Sequence, residues 1–529
     1  MDKQIQKSLS ALFTEANLEF LTGKPDDTLI NGIAMDNRLV QPGYLFVAMQ
    51  GASADGHDFI PDAIRRGASA IVGEKLLEGL SVPFIRVENS RQALTWLAAA
   101  YYGNPGRKLT VVGVTGTDGK TTTCNLLYQI LLAAGYKSGL ISTVNAIIGD
   151  EILDTGFHVT TPDAPDVQRY LTRMVEAGLT HVVLETTSHG WAQHRVDACE
   201  FDIGIVTNIT HEHLDQHGSF ENYRAAKARL FRSLTKTLPK QQGNPRLAVL
   251  NRDDASYGYL ASVVQSEICD PQTKIQWVSY GLDESADIRA ESVEYSPQGI
   301  HFKAVGEGFR VPVSSPLVGA FNVSNCLAAL AAAVRGLGVA PETAANGIAV
   351  MTGVPGRMER IDLGQPFTAI VDFAHTPNAL RVALITIKEM TDKRVIVIFG
   401  SAGLRDKEKR RMMAEVSAEL ADVSILTAED PRTESLQGIL EEMATGARLR
   451  DGVEGKTFFC IPDRGEAIRF GVNIAQPGDI VVACGKGHEQ SMCFGTTEYP
   501  WDDRTAMRAA LSERNGVEGP KMPYLPVQR

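Results

Sequence analysis

Cysteine pairs, long apolar runs and an excess of basic residues are all missing from this 529-residue sequence. Its seven cysteines are scattered, form no Cys-x-x-Cys pair and are odd in number, which excludes a disulfide framework and offers no zinc pattern. No apolar run approaches the roughly 18 residues that a membrane helix needs. Residues 1–11 also lack the basic start and apolar core of a secretion signal. We therefore expect a cytoplasmic protein without membrane insertion.

The net charge of −11 argues against a nucleic-acid partner, because a negative chain repels polyphosphate backbones at long range. Anionic ligands must then be held locally by lysines, arginines and helix ends. Small-molecule substrates are the expected partners, and a monomer is the expected state. The length predicts roughly three to four domains.

One stretch with a clear chemical signature begins as an apolar β-branched run, Leu109–Val114, and continues through Gly116 and Gly119 into a helical pattern. Glycines let the backbone approach a polyphosphate, and the helix start offers unpaired N–H groups. Lys120 is placed to reach terminal phosphates, and Thr121 is placed to ligate magnesium. The sequence therefore predicts a site for a nucleoside triphosphate.

This loop is not a strict Gly-x-x-x-x-Gly-Lys-Thr loop, because Val114 stands where that pattern has glycine. It resembles instead the ATP loop of the Mur ligases and folylpolyglutamate synthetases. The resemblance implies ATP as cosubstrate. The implied loop contacts are Gly116, Thr117, Asp118, Gly119, Lys120, Thr121 and Thr122.

Alternating strands and helices predict an α/β protein of three domains, divided near two breaker-rich stretches, 101–107 and 353–360. Residues 1–108 are predicted to form a small α/β domain, which resembles the uridine-binding domain of Mur ligases. Residues 109–355 are predicted to form a central parallel-sheet ATPase domain with the P-loop. Residues 356–529 are predicted to form a Rossmann-like domain, to which the resemblance assigns binding of the incoming amino acid.

A magnesium site is predicted beside the loop, because Glu185 ends a buried strand there. By resemblance, His213 completes the magnesium shell, and CO2 carbamylates Lys227 into an oxygen ligand. By composition alone Lys227 is predicted to be a solvated lysine on a surface helix. Three histidines in 211–217 also raise a zinc alternative, but the His-Glu-x-x-His spacing is missing.

The nucleotide-sugar substrate is assigned its contacts only by the family resemblance. In the first domain these are Arg38 and Asn37, the latter replacing the serine usual in the family. The contacts in the second domain are Thr160, Thr161, Ser188, Gln193 and Arg195. Asn325, Arg357 and Asp372 are implied as further ATP contacts, the last two from the third domain after closure.

The amino-acid site is expected at strand ends of the third domain, and the resemblance assigns it Arg405, Asp430, Arg432, Gly485 and Glu489. Relatives that add diaminopimelate usually carry Asp-Asn-Pro-Arg, and this chain carries Glu-Asp-Pro-Arg at 429–432. Arg432 favours an amino acid with a distal carboxylate. If Asp430 neutralised Arg432, lysine or ornithine would fit instead. The sequence favours diaminopimelate.

The implied activity is an ATP-dependent amide ligation in peptidoglycan precursor synthesis, in which a diamino acid is added to a UDP-N-acetylmuramoyl dipeptide through an acyl phosphate. Three alternatives stay open at this point. They are a folylpolyglutamate synthetase-like ligase, a P-loop ATPase or kinase, and a catalytically idle binding homologue.

Overall fold

The computed structural model describes residues 5–51, 54–153, 161–210, 218–267, 275–296 and 299–527. By contacts the chain forms two compact units. The first comprises Met1–Ser292, Lys303–Val313 and Ser324–Val350, and the second comprises Val293–Phe302, Ser314–Val323 and Met351–Arg529. The predicted α/β class with parallel sheets is confirmed. The boundaries at residues 108 and 355 stay predictions.

The N-terminal part of the first unit is built on a four-stranded parallel sheet. Its strands, in spatial order, are Gly32–Ala34, Tyr44–Val47, Ala68–Gly73 and Phe84–Arg86. Its helices are Leu9–Ala16, Ile60–Arg65 and Ser90–Tyr101. A short antiparallel pair joins Lys7–Ser8 to Leu29–Ile30.

An eleven-stranded sheet forms the centre of the chain. In spatial order its strands are Glu151–Leu153, Ala146–Ile148, Ser138–Ile141, His181–Glu185, Thr110–Thr115, Ile203–Val206, Leu247–Asn251, Gln276–Gly281, Ile288–Ser296, Gly299–Gly306 and Phe309–Ser315. The strands from Ser138–Ile141 to Ile288–Ser296 run parallel. The strand Thr110–Thr115, which precedes the loop, is buried throughout, as a β-branched run in a two-sided sheet should be.

Helices connect the strands of this sheet, as right-handed crossovers of a parallel sheet require. They are Lys120–Ala133, Ala164–Glu176, Ser188–Ala192, Phe220–Lys236 and Tyr257–Ser266. The helices Phe321–Ala331 and Pro341–Ala349 follow the last strand of the sheet in the chain.

The C-terminal part contains a second, six-stranded sheet that is parallel except at one edge. In spatial order its strands are Glu359–Ile361, Thr368–Asp372, Ile480–Cys484, Val395–Phe399, Val423–Leu426 and Phe458–Cys460. Its helices are Pro377–Lys388, Glu408–Leu420, Leu436–Arg448, Arg464–Ile474 and Asp503–Asn515. The strands Ser491–Phe494 and Thr497–Pro500 pair as a hairpin that forms a separate two-stranded sheet.

Candidate active site

The predicted phosphate loop joins the strand Thr110–Thr115 to the helix Lys120–Ala133 and depends on both of its glycines. A Cβ on Gly116 would lie 1.8 Å from the hydroxyl oxygen of Thr207, and a Cβ on Gly119 would lie 2.3 Å from Oδ1 of Asn325. Gly119 is also left-handed, with φ +78°. It gives the helix no side-chain cap, so the first N–H groups of the helix face the loop.

The polar groups of this loop are held by the loop itself and by its neighbours. Nζ of Lys120 donates to the carbonyl of Thr117 at 2.7 Å. The backbone N–H of Asp118 donates to Oδ1 of Asn208 at 2.9 Å, and its carbonyl accepts from the hydroxyl of Thr207 at 2.6 Å. Lys120 must therefore release the carbonyl of Thr117 before its ammonium can bind a phosphate.

Thr121 and Glu185 meet directly beneath the loop. The hydroxyl of Thr121 lies 3.0 Å from each carboxylate oxygen of Glu185, which also accepts from the backbone N–H of Thr143 at 2.9 Å. Both side chains are buried, and Thr122 beside them is buried as well. A hydroxyl and a carboxylate this close together are hard oxygen donors of the kind that Mg2+ prefers.

Lys227 lies on the buried face of the helix Phe220–Lys236, so the prediction of a solvated lysine from composition was wrong. It is 2% exposed, its Nζ donates to the carbonyl of Gly116 at 2.5 Å, and it lies 4.4 Å from the ring centre of Tyr223. The physical reason is that this helix packs against the strand and loop, and a lysine on that face can be buried only where a carbonyl accepts its protons. His213 lies outside the described residues.

A cavity in the first unit gathers two of the predicted substrate residues, Gln193 and Arg195. The guanidinium of Arg195 donates to the carbonyl of Thr161 at 2.7 Å and to Oε1 of Gln193 at 2.9 Å, and its Nε lies 3.1 Å from Asp163. Burial lowers the pKa of Arg195, and the nearby charge of Arg91 lowers it further. The cavity is lined by Met35, Met49, Arg91, Leu94, Thr95, Asp163, Ala164, Gln193 and Arg195.

Of the remaining predicted substrate residues, Ser188 begins the helix Ser188–Ala192 and is buried, and Thr160 lies outside the described residues. Arg38 and Asn37 do not line the cavity. Arg38 is bound by Asp36 two residues earlier, at 2.6 Å, and its side chain is 78% exposed. Asn37 donates to Asp62 at 2.7 Å.

Arg357 and Asp372, the predicted nucleotide contacts of the second unit, lie close to each other. Asp372 ends its strand and accepts the backbone N–H groups of Met358 and Ala374 at 2.7 and 2.9 Å. Burial raises the pKa of its carboxyl, against the charge of Arg357. The guanidinium of Arg357 lies 4.4 Å from the ring centre of Phe373.

Two histidines flank this aromatic ring. The rings of His375 and His488 lie 4.6 and 4.8 Å from that of Phe373. Burial lowers the pKa of each to about 3, and nearby Lys409 and Arg357, respectively, add to the effect. Within the described ranges, Nε of Arg357 and Nδ1 of His488 are buried without a hydrogen-bond partner. Each histidine ring is tilted by 48° from that of Phe373, and together with the guanidinium of Arg357 the rings offer aromatic and cationic contacts of the kind that a nucleobase makes.

The predicted amino-acid residues cluster at two strand ends of the second unit, with one exception. Asp430 lies 3.2 Å from Nζ of the fully buried Lys486, which also pairs with Glu489 at 2.5 Å. Burial disfavours the charged form of Lys486, but Glu489 and Asp430 outweigh that effect and raise its pKa. Arg405 is the exception, since it lies in an exposed turn with no hydrogen bond or ion pair to the cluster among the described residues.

Arg432 is not neutralised by Asp430 in this arrangement. Asp430 is held by Lys486 and by the backbone N–H of Cys493, at 2.9 Å. Arg432 donates to the carbonyl of Gly403 at 3.4 Å and has no ion pair in the part of the chain that the structure describes. Both residues are left-handed, with φ of +39° and +53°, so the loop holds them in strained positions.

Sequence reasoning missed Glu429, Lys486, His488 and Arg91. Lys486 and His488 stand within the Gly-Lys-Gly-His-Glu stretch at 485–489, whose polar content was the available signal. Arg91 gave no signal, because it lies in an ordinary helix far from any motif.

Three segments of the chain match family models of known proteins. Residues 29–102 match the model of the Mur ligase family catalytic domain, residues 114–333 the Mur ligase middle domain, and residues 356–487 the Mur ligase glutamate ligase domain. The chain belongs to the Mur ligase family. It is therefore an ATP-dependent ligase, and the predicted enzyme class is confirmed.

The relatives extend over nearly the whole chain. A UDP-N-acetylmuramyl-tripeptide synthetase of Roseiflexus is 42% identical, covering 92% of this chain and 96% of the relative. A UDP-N-acetylmuramoyl-L-alanyl-D-glutamate–2,6-diaminopimelate ligase of Geobacillus thermodenitrificans is 41% identical, covering 93% and 96%. A solved structure named as the same ligase aligns with a TM-score of 0.67 at 30% identity, over 96% of this chain and 99% of the other. The three-domain α/β class follows from this alignment.

Proposed function

We propose that the chain joins meso-diaminopimelate to UDP-N-acetylmuramoyl-L-alanyl-D-glutamate, with conversion of ATP to ADP and phosphate. The names of the Geobacillus relative and of the aligned structure support this step. The observation that carries the choice of amino acid is the pairing of Asp430 with Lys486, which leaves Arg432 as a guanidinium without an ion pair among the described residues. A guanidinium of that kind suits a distal carboxylate.

The proposed reaction has two successive steps at one carboxylate of the dipeptide. A carboxylate oxygen of the dipeptide attacks the γ-phosphorus, ADP leaves, and an acyl phosphate forms. The amine of the amino acid then attacks the carbonyl carbon, the bond from that carbon to the phosphate oxygen breaks, and the nitrogen loses a proton. Such a reaction is accelerated mainly by positioning and by neutralising the phosphoryl charge.

For ATP, we propose that the loop and the uncapped start of the helix Lys120–Ala133 hold the phosphates, with Lys120 leaving the carbonyl of Thr117 for the terminal phosphate. Asn325 supports the loop at Gly119. Arg357 and Asp372 keep their proposed role as nucleotide contacts. The full proposed set is Gly116, Thr117, Asp118, Gly119, Lys120, Thr121, Thr122, Asn325, Arg357 and Asp372.

For magnesium, the donor set beside the loop fits, because Thr121 and Glu185 present oxygens within 3.0 Å of each other. Mg2+ would neutralise phosphate charge there. Lys227 fits only as a carbamate, since an ammonium repels a cation whereas a carbamate supplies two oxygens. Its burial against Gly116 holds it beside the loop. His213 stays a proposed ligand by resemblance.

For the nucleotide-sugar substrate, we propose the cavity around Gln193 and Arg195. Arg91 and Asp163 join the proposed set on their position in that cavity. Thr160, Thr161, Ser188, Asn37 and Arg38 keep the roles that the resemblance assigns, although Arg38 first has to leave Asp36.

The amino-acid set is Arg405, Asp430, Arg432, Gly485 and Glu489, and lysine or ornithine are the competing substrates. We also propose the domain boundaries at residues 108 and 355, a cytoplasmic location and a monomer. None of the helices in the described ranges is long and apolar enough to cross a membrane.

The test is phosphate release by the full chain with ATP, Mg2+ and bicarbonate, omitting each substrate in turn. We expect release only when both the UDP-dipeptide and meso-diaminopimelate are present. Release without an amino acid would indicate a kinase or ATPase, and no release with any amino acid would indicate an idle homologue. A preference for lysine or ornithine above tenfold in kcat/KM, roughly 1.4 kcal/mol, would overturn the choice of amino acid.

A further inference from the structure

The helix that carries Lys227 packs antiparallel to the strand that leads into the phosphate loop. A Cβ on Gly113, in this strand, would lie 2.7 Å from Cδ1 of Leu230, so that strand position faces the helix. Nearer the start of the helix, the hydroxyl of Tyr223 lies 3.0 Å from that of Thr117, two residues beyond the end of the strand. Earlier helix positions therefore match later strand positions.

Thr115 lies on the helix-facing side of the same strand, at the level of Lys227. Side chains two positions apart in a strand point to the same face, so Thr115 shares the face of Gly113. Lys227 stands three residues before Leu230, close to one helical turn, and its Nζ donates to the carbonyl of Gly116 at 2.5 Å. Gly116 directly follows Thr115. The buried end of Lys227 therefore lies beside the side chain of Thr115.

Within the described ranges, the hydroxyl oxygen of Thr115 is buried without a hydrogen-bond partner, and the residue is 0% exposed. A hydroxyl carries one proton to donate, whereas an ammonium carries donors only. The unmodified Lys227 therefore cannot accept the proton of this hydroxyl. Because a buried donor without an acceptor is costly, this position favours a neighbouring group that has acceptor oxygens.

We propose that the hydroxyl of Thr115 donates a hydrogen bond to a carbamate on Lys227 and so stabilises this modification. The inference rests on the proposed function, in which Lys227 is carbamylated. In that step the neutral amine attacks the carbon of CO2, an N–C bond forms as one C=O electron pair moves onto oxygen, and the nitrogen loses a proton to solvent. The carbamate then offers two acceptor oxygens. Thr115 is a positioning residue, because it acts through Lys227 and touches no reacting atom.

The test follows the 13C carbamate signal of the full chain as 13C-bicarbonate is increased, with Lys227→Ala as the blank. Thr115→Val keeps the branched shape and removes the hydroxyl. It should need at least about tenfold more bicarbonate than the native chain for half of the full signal, the scale of a lost hydrogen bond to a charged group. Thr115→Ser keeps a hydroxyl and should stay within about threefold of the native midpoint.

Thr110→Val is the matched control, since Thr110 is a buried threonine at the other end of the same strand. It should keep the native bicarbonate midpoint. An activity loss in Thr115→Val without a shift of that midpoint would show that Thr115 acts on the phosphate loop and not on the carbamate, and would overturn the inference.

The outcomes also separate this inference from the proposed function. If the native chain gives no carbamate signal at any bicarbonate concentration, the proposed carbamylation fails, and the role of Thr115 fails with it. If the native chain gives the signal and Thr115→Val has the same midpoint, only the role of Thr115 fails. Should Thr115→Val not fold, Thr115→Ala is compared with Thr115→Ser. The alanine variant should again need about tenfold more bicarbonate, and equal midpoints would overturn the inference.

Discussion

Charged side chains are partnered differently in the phosphate loop of the first unit and in the strand-end cluster of the second unit. The strand-end cluster consists of Glu429, Asp430, Arg432, Lys486 and Glu489. In the loop, Lys120 and Lys227 are both held by loop carbonyls, and Thr121 is held by Glu185. In the cluster, Lys486 is shared by two carboxylates, while Oε2 of Glu429 lacks a donor within the described ranges. A ligand of the loop therefore has to displace hydrogen-bond partners that the loop residues already have. A ligand of the cluster instead supplies partners that the cluster residues lack.

The largest effect is expected at Lys120, whose role is charge neutralisation rather than packing. Lys120→Ala should lower phosphate release by roughly 1,000-fold or more, the scale of a lost transition-state charge, with little change in thermal midpoint. The exposed Lys137→Ala is the control. If Lys120→Ala kept a tenth of the native rate, the assignment of this loop to phosphate would be wrong.

A second large effect is expected at Lys227. Lys227→Ala should lower turnover by about 100-fold or more, and 13C-bicarbonate should give a lysine carbamate signal in the native chain that this variant lacks. Because Lys227 is buried, its loss should also lower the thermal midpoint.

Lys236 offers the matched control for this prediction, since it is exposed near the end of the same helix. Lys236→Ala should keep both the activity and the carbamate signal. Full activity in Lys227→Ala would show that the loop works without it.

A smaller effect is expected in the strand-end cluster, where the ligand supplies an ionic partner for Arg432. Arg432→Lys should lower kcat/KM for meso-diaminopimelate by about 10- to 100-fold, because an ammonium cannot hold a carboxylate in two parallel hydrogen bonds. Activity with lysine, which has no distal carboxylate, should change by less than about threefold. Equal losses for both amino acids would show that Arg432 acts on the loop and not on the substrate.

The smallest effect concerns stability at His375, which faces Lys409, Arg357 and Glu489. Burial first, and then Lys409, lowers its pKa to about 3, so the folded unit keeps it neutral. The unfolded chain takes up that proton below about pH 6.5, so the free energy of unfolding falls as the pH drops. At pH 5 this amounts to roughly 2 kcal/mol.

Urea unfolding of His375→Asn at pH 7.5 and pH 5 measures this contribution. The loss of stability between the two pH values should be about 2 kcal/mol smaller than in the native chain. The exposed His301→Asn should keep the native pH dependence. An unchanged pH dependence in His375→Asn would show that the environment of this ring does not exclude its proton.

Strands and motifs were readable from the sequence because they are local. The apolar runs Val395–Phe399 and Val423–Leu426 form buried strands of the second sheet, and the helix after the loop follows from the helical pattern of its sequence. The edge hairpin of Ala146–Ile148 and Glu151–Leu153 was not predicted, since three-residue strands carry too little periodicity.

Contacts between distant residues were the part that the sequence did not reveal. Lys486 pairs with Asp430 across 56 positions, and that pairing decides whether Arg432 is neutralised. Lys227 looked solvated because the polar composition of its helix does not show which face is buried. One local contact was missed as well, since the ion pair between Arg38 and Asp36 forms in a short turn that the sequence analysis did not predict.

Amide formation through an acyl phosphate can be detected by isotope transfer. The UDP-dipeptide is prepared with 18O in its D-glutamyl carboxylates and is turned over with ATP and meso-diaminopimelate, and the released phosphate is analysed by mass spectrometry. We expect one 18O atom in each phosphate formed with product, because the carboxylate oxygen that attacks phosphorus leaves with it. Phosphate without 18O, formed alongside amide product, would show that the amide forms without an acyl phosphate.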